Sequence, residues 1–219
     1  MSLDIKICGL KTEAAVAAAL AGGASHVGFI FFARSPRYVE PSEAAQLRKL
    51  ATGKAKAVAV SVDAEDAFLD AIVSGMAPDM LQLHGKETPV RVAEVKKRYG
   101  LPVIKAFSVR VATDLDAIAP FIGIADGFLF DAKPPAGSEL PGGNGLPFDW
   151  TVLSRLDPAV GYFLSGGLNA GNIGEALRLA SPAGIDVSSG VESAPGVKDV
   201  GLIEGFFRAV CQAQSDRAA

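Results

Sequence analysis

The feature that most constrains this chain is a rhythm. Short apolar runs alternate with helix-patterned stretches eight times from end to end. The runs cover residues 5–8, 26–32, 56–62, 79–83, 103–107, 127–130, 161–164 and 184–187. The helical stretches between and after them cover 12–22, 42–50, 65–75, 87–99, 113–118, 148–156, 169–180 and 198–211. Local signals support the boundaries. Gly22-Gly23 stops the first helix, Ser42 is placed to cap the second, and Phe68 and Ile72 share one face of the third. Strands separated by helices must run parallel, because a parallel neighbour needs a crossover connection. Each unit is too short to contain a second domain, so residues 1–219 read as one α/β domain. Eight units suggest closure into a (β/α)8 TIM barrel. Pattern alone leaves an open doubly wound sheet as the alternative.

Composition narrows the function classes. A chain of 219 residues is a normal size for one such barrel. Apolar residues make up 49% of it, which suits a buried sheet wrapped in helices. The net charge is -3 and no Lys/Arg cluster could track a phosphate backbone, so no nucleic-acid partner is expected. No run of 18 apolar residues occurs, so no membrane span is expected. The N-terminus lacks a basic stretch followed by an apolar core, unlike a signal peptide. The two cysteines, Cys8 and Cys211, lie near opposite ends, which fits a reducing compartment, the cytoplasm.

One segment breaks the rhythm. Residues 133–145 read KPPAGSELPGGNG, too long for an ordinary turn after a strand. It follows a strand end that carries a carboxylate, so a lid or binding loop is expected rather than a passive insertion.

Active sites of such barrels sit at the C-terminal ends of the strands. Position therefore singles out Cys8, residues 32–37, Asp63, His84, Ser108, Asp131, residues 165–167 and residues 188–190. Ser165-Gly166-Gly167-Leu168-Asn169 follows the seventh run and opens a helix, and Ser188-Ser189-Gly190 follows the eighth. Small residues let backbone N–H groups approach an anion, and these are the two loops that usually hold phosphate in this architecture. Two ordinary tight turns are the plainer alternative. No P-loop or dinucleotide fingerprint is present.

Cys8 in Lys6-Ile7-Cys8-Gly9 can act as a base or nucleophile at the barrel mouth, or can simply fill the core. Asp131, after Phe128-Leu129-Phe130, can donate a proton, or can serve as a cap or a partner of Lys133. Strands one and six are three steps apart around a ring of eight, so these two groups would face each other. Arg37 can grip a carboxylate through two N–H groups, although a single Arg is more commonly solvated. His84 shares a strand face with Gln82 and suits an orienting role. It is not a metal site, because the one other histidine is His26 and no Cys or carboxylate cluster accompanies it. Cys211 reads as a packing residue of the last helix.

The ordered set KICGL, SPRYV, QLHG, LFDAK, GGNG followed by FDW, LSGGLN and DVSSGVE resembles the phosphoribosylanthranilate isomerase family over about residues 5 to 208. Singly these motifs are weak; in this order and spacing they are specific. The resemblance implies a general base at Cys8, a general acid at Asp131, and Arg37 on the anthranilate carboxylate. It implies phosphate binding around Gly166, Gly167, Ser189 and Gly190. The reaction implied is an Amadori rearrangement of a small phosphorylated aminosugar in tryptophan biosynthesis. No metal or organic cofactor is implied, since an imine formed from the substrate is the electron sink. Monomer and homodimer both remain open. Two positions depart from the family: Ala132 stands where Thr is usual, and Leu146-Pro147 where a Lys is usual. Two other readings stand beside this one. The first is a catalytically silent phosphosugar-binding barrel. The second is the histidine-pathway aminosugar isomerase, less similar because a carboxylate is expected where Cys8 stands.

Overall fold

The computed structural model describes residues 3–133, 142 and 147–218. Among them, eight strands form a closed barrel in chain order. They are β1 (Asp4–Cys8), β2 (His26–Phe31), β3 (Lys56–Ser61), β4 (Met80–Leu83), β5 (Val103–Val109), β6 (Gly127–Ala132), β7 (Tyr162–Leu164) and β8 (Gly184–Val187). Every neighbouring pair is parallel, and β8 closes on β1 with Lys6 opposite Asp186. The open-sheet alternative is thereby excluded.

Six α-helices are described: α1 (Glu13–Ala21), α2 (Pro41–Ala51), α3 (Asp66–Met76), α4 (Pro89–Tyr99), α5 (Ile173–Leu179) and α6 (Val200–Ala218). Two other expected helices are 3-10 helices, Ala112–Phe121 and Trp150–Arg155. The local causes are ordinary. Thr12 Oγ1 accepts from Ala15 N at 3.3 Å and starts α1. Thr88 caps α4, Pro89 opens it, and Gly100 ends it in the left-handed region. Gly22 ends α1 at an ordinary φ of -73°. It is needed for space, since a Cβ there would collide with the Phe207 ring of α6.

Four expectations need correction. Ser42 is not the cap of α2: Glu40 holds that place, with Pro41 in the first turn. β6 runs past Phe130, so Asp131 lies within the strand. The helix after β7 begins at Ile173 rather than residue 169, leaving a longer loop between. Cys211 is exposed, so it is not a packing residue. The last helix also runs on to Ala218, and a small hairpin, β9 (Glu192–Ala194) with β10 (Val197–Lys198), precedes it. Most of the 133–145 loop lies outside the described residues.

Side chains alternate along each strand, so the barrel has two cores. Ile7, Val27, Phe29, Leu81, Phe128, Phe130, Ile185 and Val187 belong to the large outer core beneath the helices. The inner faces hold two small apolar clusters. One gathers Cys8, Val58 and Val60 with Ile30 and Met80. The other gathers Ile104, Ala106 and Leu129 with Met80 and Phe163. On the β8–β1 side the interior is instead charged, with Lys6 and Asp186 both buried.

Candidate active site

One cavity opens among the strand ends, enclosing about 670 Å³ with its mouth. Such volumes suit a small ligand. It is lined by Cys8 from β1, Arg37 after β2, Gln82 and His84 at β4, Asp131 from β6, and Ser165, Gly166 and Gly167 after β7. Asp186, Ser188 and Ser189 line it from β8. Most residues singled out by position thus meet in one place. Asp63 and Ser108 do not line it. The Asp63 carboxylate instead accepts from Lys86 N at 2.6 Å.

Cys8 sits in the charged sector. Lys6, two residues earlier on the same face, places its Nζ 2.9 Å from Asp186 Oδ1. Ser165 Oγ reaches Asp186 Oδ2 at 3.5 Å. Gly28 opposite makes room: a Cβ there would stand 2.9 Å from Cys8 Sγ and 3.2 Å from Lys6 Cε. Burial pushes the Cys8 thiol above its ordinary range, Lys6 and Lys198 pull it down, and Asp186 pushes it up. Lys6 keeps its proton more firmly than a free lysine. Burial opposes this, but Asp186 and Cys8 outweigh it.

Asp131 sits among neutral groups and one imidazole. Its Oδ1 accepts from Ala132 N at 2.9 Å. Its Oδ2 lies 3.5 Å from His84 Nε2, too long for a good hydrogen bond. Gln82 Nε2 lies 3.1 Å from His84 Nδ1. With the amide as donor, the imidazole proton resides on Nε2, toward Asp131. Gly142 covers this side, where a Cβ would collide with Asp131 Oδ2. Lys133 is not the partner of Asp131; it reaches Asp114 at 3.4 Å. The His84 turn is braced from outside the barrel. Lys105 Nζ donates to Gly85 O at 2.8 Å and lies 3.1 Å from Glu87 Oε2, and Glu87 Oε2 accepts from Gly85 N at 3.0 Å.

The glycine loops form the third part. Gly166 and Gly167 both have positive φ, +89° and +64°, which L side chains rarely adopt. Asn172 Nδ2 holds the Gly167 carbonyl at 2.9 Å, with Asn169 Nδ2 at 3.3 Å. Since C=O and N–H of a trans peptide point oppositely, this aims the Leu168 N–H away from the loop. After β8 a 3-10 turn runs over Ser189–Val191. Gly190 does not line the cavity itself; a Cβ on it would collide with Leu168 O, so it lets the two loops pack together. Among the described residues, no group accepts from the backbone N–H of Gly166, Gly167, Ser189 or Gly190. These donors are available to an anion.

Arg37 is buried rather than solvated. Its Nε and Nη2 each donate to Glu192 at 2.8 Å. Lys198 Nζ reaches the same carboxylate at 2.6 Å and Ser188 O at 2.9 Å. Burial pushes the Glu192 carboxyl up, but its bonds to Arg37 and Lys198 hold it below the usual range. Lys6, Asp186, Glu192, Lys198, Lys105 and Glu87 were not singled out by sequence reasoning. A signal existed for three of them: Lys6, Lys105 and Asp186 are charged residues inside apolar strand runs, which seldom happens without a partner. Among the described residues, no group of three or more His, Cys, Asp or Glu side chains is placed to hold a metal ion. No described helix is long and apolar enough to cross a membrane.

Comparison with known proteins agrees with this geometry. Residues 5–209 match the family model of N-(5'-phosphoribosyl)anthranilate isomerase. The chain is 74% identical over 219 residues, all of both chains, to the N-(5'-phosphoribosyl)anthranilate isomerase of Mesorhizobium japonicum. A crystal structure of phosphoribosyl anthranilate isomerase from Thermotoga maritima superposes with a TM-score of 0.86 at 31% identity, covering 96% of this chain and 100% of that one. Another such isomerase, in complex with reduced 1-(o-carboxyphenylamino)-1-deoxyribulose 5-phosphate, superposes at 0.81 with 28% identity, over 96% and 100% of the two chains.

Proposed function

The chain belongs to the N-(5'-phosphoribosyl)anthranilate isomerase family, and on that premise we propose which of its residues carry the reaction. The protein is the isomerase of tryptophan biosynthesis that converts N-(5'-phosphoribosyl)anthranilate into 1-(o-carboxyphenylamino)-1-deoxyribulose 5-phosphate. Asp131 is the general acid. It protonates the ribose ring oxygen as the C1′–O bond breaks, and the anthranilate nitrogen lone pair forms the C1′=N bond. Cys8, as thiolate, is the general base that takes the C2′ proton. The C2′–H electrons flow into the imine and give an enolamine. Ketonisation releases the O2′ proton and places one on C1′. The proton balance closes when Asp131 regains the first and Cys8 gives up the second.

The remaining residues bind and orient. The N–H groups of Gly166, Gly167, Leu168, Ser189 and Gly190 take the phosphate. Arg37, held rigid by Glu192, meets the anthranilate carboxylate. His84 borders Asp131 and orients the substrate beside it. Cys8 must stay unoxidised to act, which fits a reducing compartment such as the cytoplasm.

The observation that carries this reading is that Cys8 and Asp131 line one cavity from strands three steps apart, next to a floor of available N–H donors. The test is turnover of N-(5'-phosphoribosyl)anthranilate and of the histidine-pathway aminoaldose side by side, by wild type and by Cys8→Ser and Asp131→Asn. The first substrate should turn over in wild type and be lost in both variants. Full activity in either variant removes that residue from its role.

A further inference from the structure

Cys8 is enclosed, and an enclosed thiol resists ionisation. A base there needs help that the acid–base pair does not itself provide. The groups around it come from each packed element. β1 supplies Lys6, β8 supplies Asp186, and the hairpin after β8 supplies Lys198 with Glu192 bound to it. Across the cavity stand Asp131 from β6, His84 from β4 and Arg37 after β2. β3 contributes only Val58 and Val60.

Among these, Lys6 is distinctive. It is fully enclosed, and its Nζ touches no solvent. Its position two residues before Cys8 puts both side chains on the inner face of one strand. Gly28 leaves no side chain to separate them, since its missing Cβ would touch both Sγ and Cε. Asp186 lies directly opposite in register and fixes the ammonium at 2.9 Å. A buried ion pair is an expensive thing to keep in a barrel interior that could be filled with apolar side chains. We infer that Lys6 is a positioning residue whose ammonium, anchored by Asp186, is the counter-cation of the Cys8 thiolate. Its charge offsets the desolvation that opposes ionisation and, after proton abstraction, the pair Lys6–Asp186 remains as a neutral unit beside the neutral thiol. Burial, Lys6 and Asp186 are the three largest influences on the thiol, and Lys6 is the stronger of the two charges.

The inference rests on the reading of Cys8 as base, and the experiment separates the two. In a Cys211→Ser background only Cys8 reacts with iodoacetamide, so the alkylation rate against pH reports its ionisation without any turnover. Lys6→Met should move the alkylation midpoint up by at least one pH unit, and so slow alkylation about tenfold or more at a fixed pH below it. The limb of the kcat/KM profile that Cys8 sets should move by the same amount, with KM little changed. Lys6→Arg should restore the midpoint most of the way. If Lys6→Met does not fold, wild type still answers. With 13C-labelled lysine, the Lys6 Cε resonance should show an inflection at the pH where Cys8 titrates, and alkylating Cys8 should abolish it. A folded Lys6→Met with an unmoved midpoint, or a Lys6 resonance indifferent to Cys8 alkylation, overturns the inference. If the midpoint moves while the kcat/KM profile stays, Lys6 tunes the thiol but Cys8 is not the base.

Discussion

The two ends of the proposed acid–base pair share a cavity and differ in surroundings. Around Cys8 the barrel interior is charged: Lys6, Asp186 and, behind Ser188, Lys198 with Glu192. Around Asp131 it is mostly neutral: the Ala132 N–H, the Gly142 backbone and His84, itself met by Gln82. The chemistry explains the contrast. A base must carry charge in an enclosed site, so it needs fixed opposite charge close by. Neutral groups around a carboxyl can hold its geometry without adding charge.

The largest test of this comparison is removal of each group. Cys8→Ser should fold and lose most turnover, because a hydroxyl is a far poorer base than a thiolate. Asp131→Asn should lose turnover while still binding substrate. General acid–base groups contribute about 10²–10⁴-fold, and steady-state kcat measures each loss. Cys211→Ser, on the exposed face of the last helix, should leave kcat unchanged. The two sides should also part company in pH. Because the Cys8 thiol is raised by burial, its thiolate is a minor species at neutral pH. Turnover needs Cys8 ionised and Asp131 protonated at once, so kcat/KM should follow a bell-shaped pH profile in which Cys8 sets one limb. If neither limb matched the alkylation midpoint of Cys8, ionisation of Cys8 would not limit the reaction.

Next in size is the proposed phosphate floor, which both sides share. Hydrogen bonds to a charged group are each worth about 1.5–3 kcal/mol, or roughly 10–100-fold in binding. Ser189→Pro deletes one donor and should raise KM by that order with kcat less affected. Gly167→Ala strains a residue at φ +64° and should act the same way. Equal KM for phosphorylated and dephosphorylated substrate would contradict the site.

Much of this was legible before the structure. The eight strand–helix units, the strand ends that line the cavity and the two glycine loops all follow from local pattern, because period and turn chemistry are local properties. The rest is not local. Lys6 meets Asp186 across 180 residues and Arg37 meets Glu192 across 155. Such pairs form only when the barrel closes, and no spacing along the chain announces them. Helix type was also misread where Pro120 and short length favoured 3-10 turns over α-helix. Cys211 was assigned to the core by the habits of free cysteines, although the helix face it occupies is open.

Glu192→Gln would sharpen the comparison from the charged side. It leaves two buried cations, Arg37 and Lys198, without their shared anion. Breaking a buried pair in this way costs about 3–5 kcal/mol, and thermal unfolding should show it as a fall of roughly 6–20 °C for a chain of this size. Because the Glu192 carboxyl is held low when folded, its contribution is present above the unfolded carboxyl pKa and is lost as pH falls through the folded one. KM should rise as well, since Arg37 would no longer be held against the substrate carboxylate. An unchanged melting point would mean that the network is not structural.

The smallest effect lies at the opposite end of the barrel, away from the chemistry. His26 begins β2, pairs its Nδ1 with Ser25 Oγ at 2.8 Å and sets its ring edge-on to Phe163 at 5.3 Å. Burial lowers its pKa from 6.5 to about 4. The folded protein therefore resists a proton that the unfolded chain accepts below about 6.5. The sign follows: the unfolded state binds more protons in this window, so stability is full above pH 6.5 and falls as pH drops toward 4. The loss amounts to at most about 3 kcal/mol. Denaturant unfolding at pH 7, 5.5 and 4 measures it. His26→Gln keeps a partner for Ser25 and cannot take the proton, so its stability should decline less over the same range, with kcat/KM at pH 7 unchanged. An identical decline in the variant would place the acid sensitivity elsewhere, with the Glu192 network the next group to titrate.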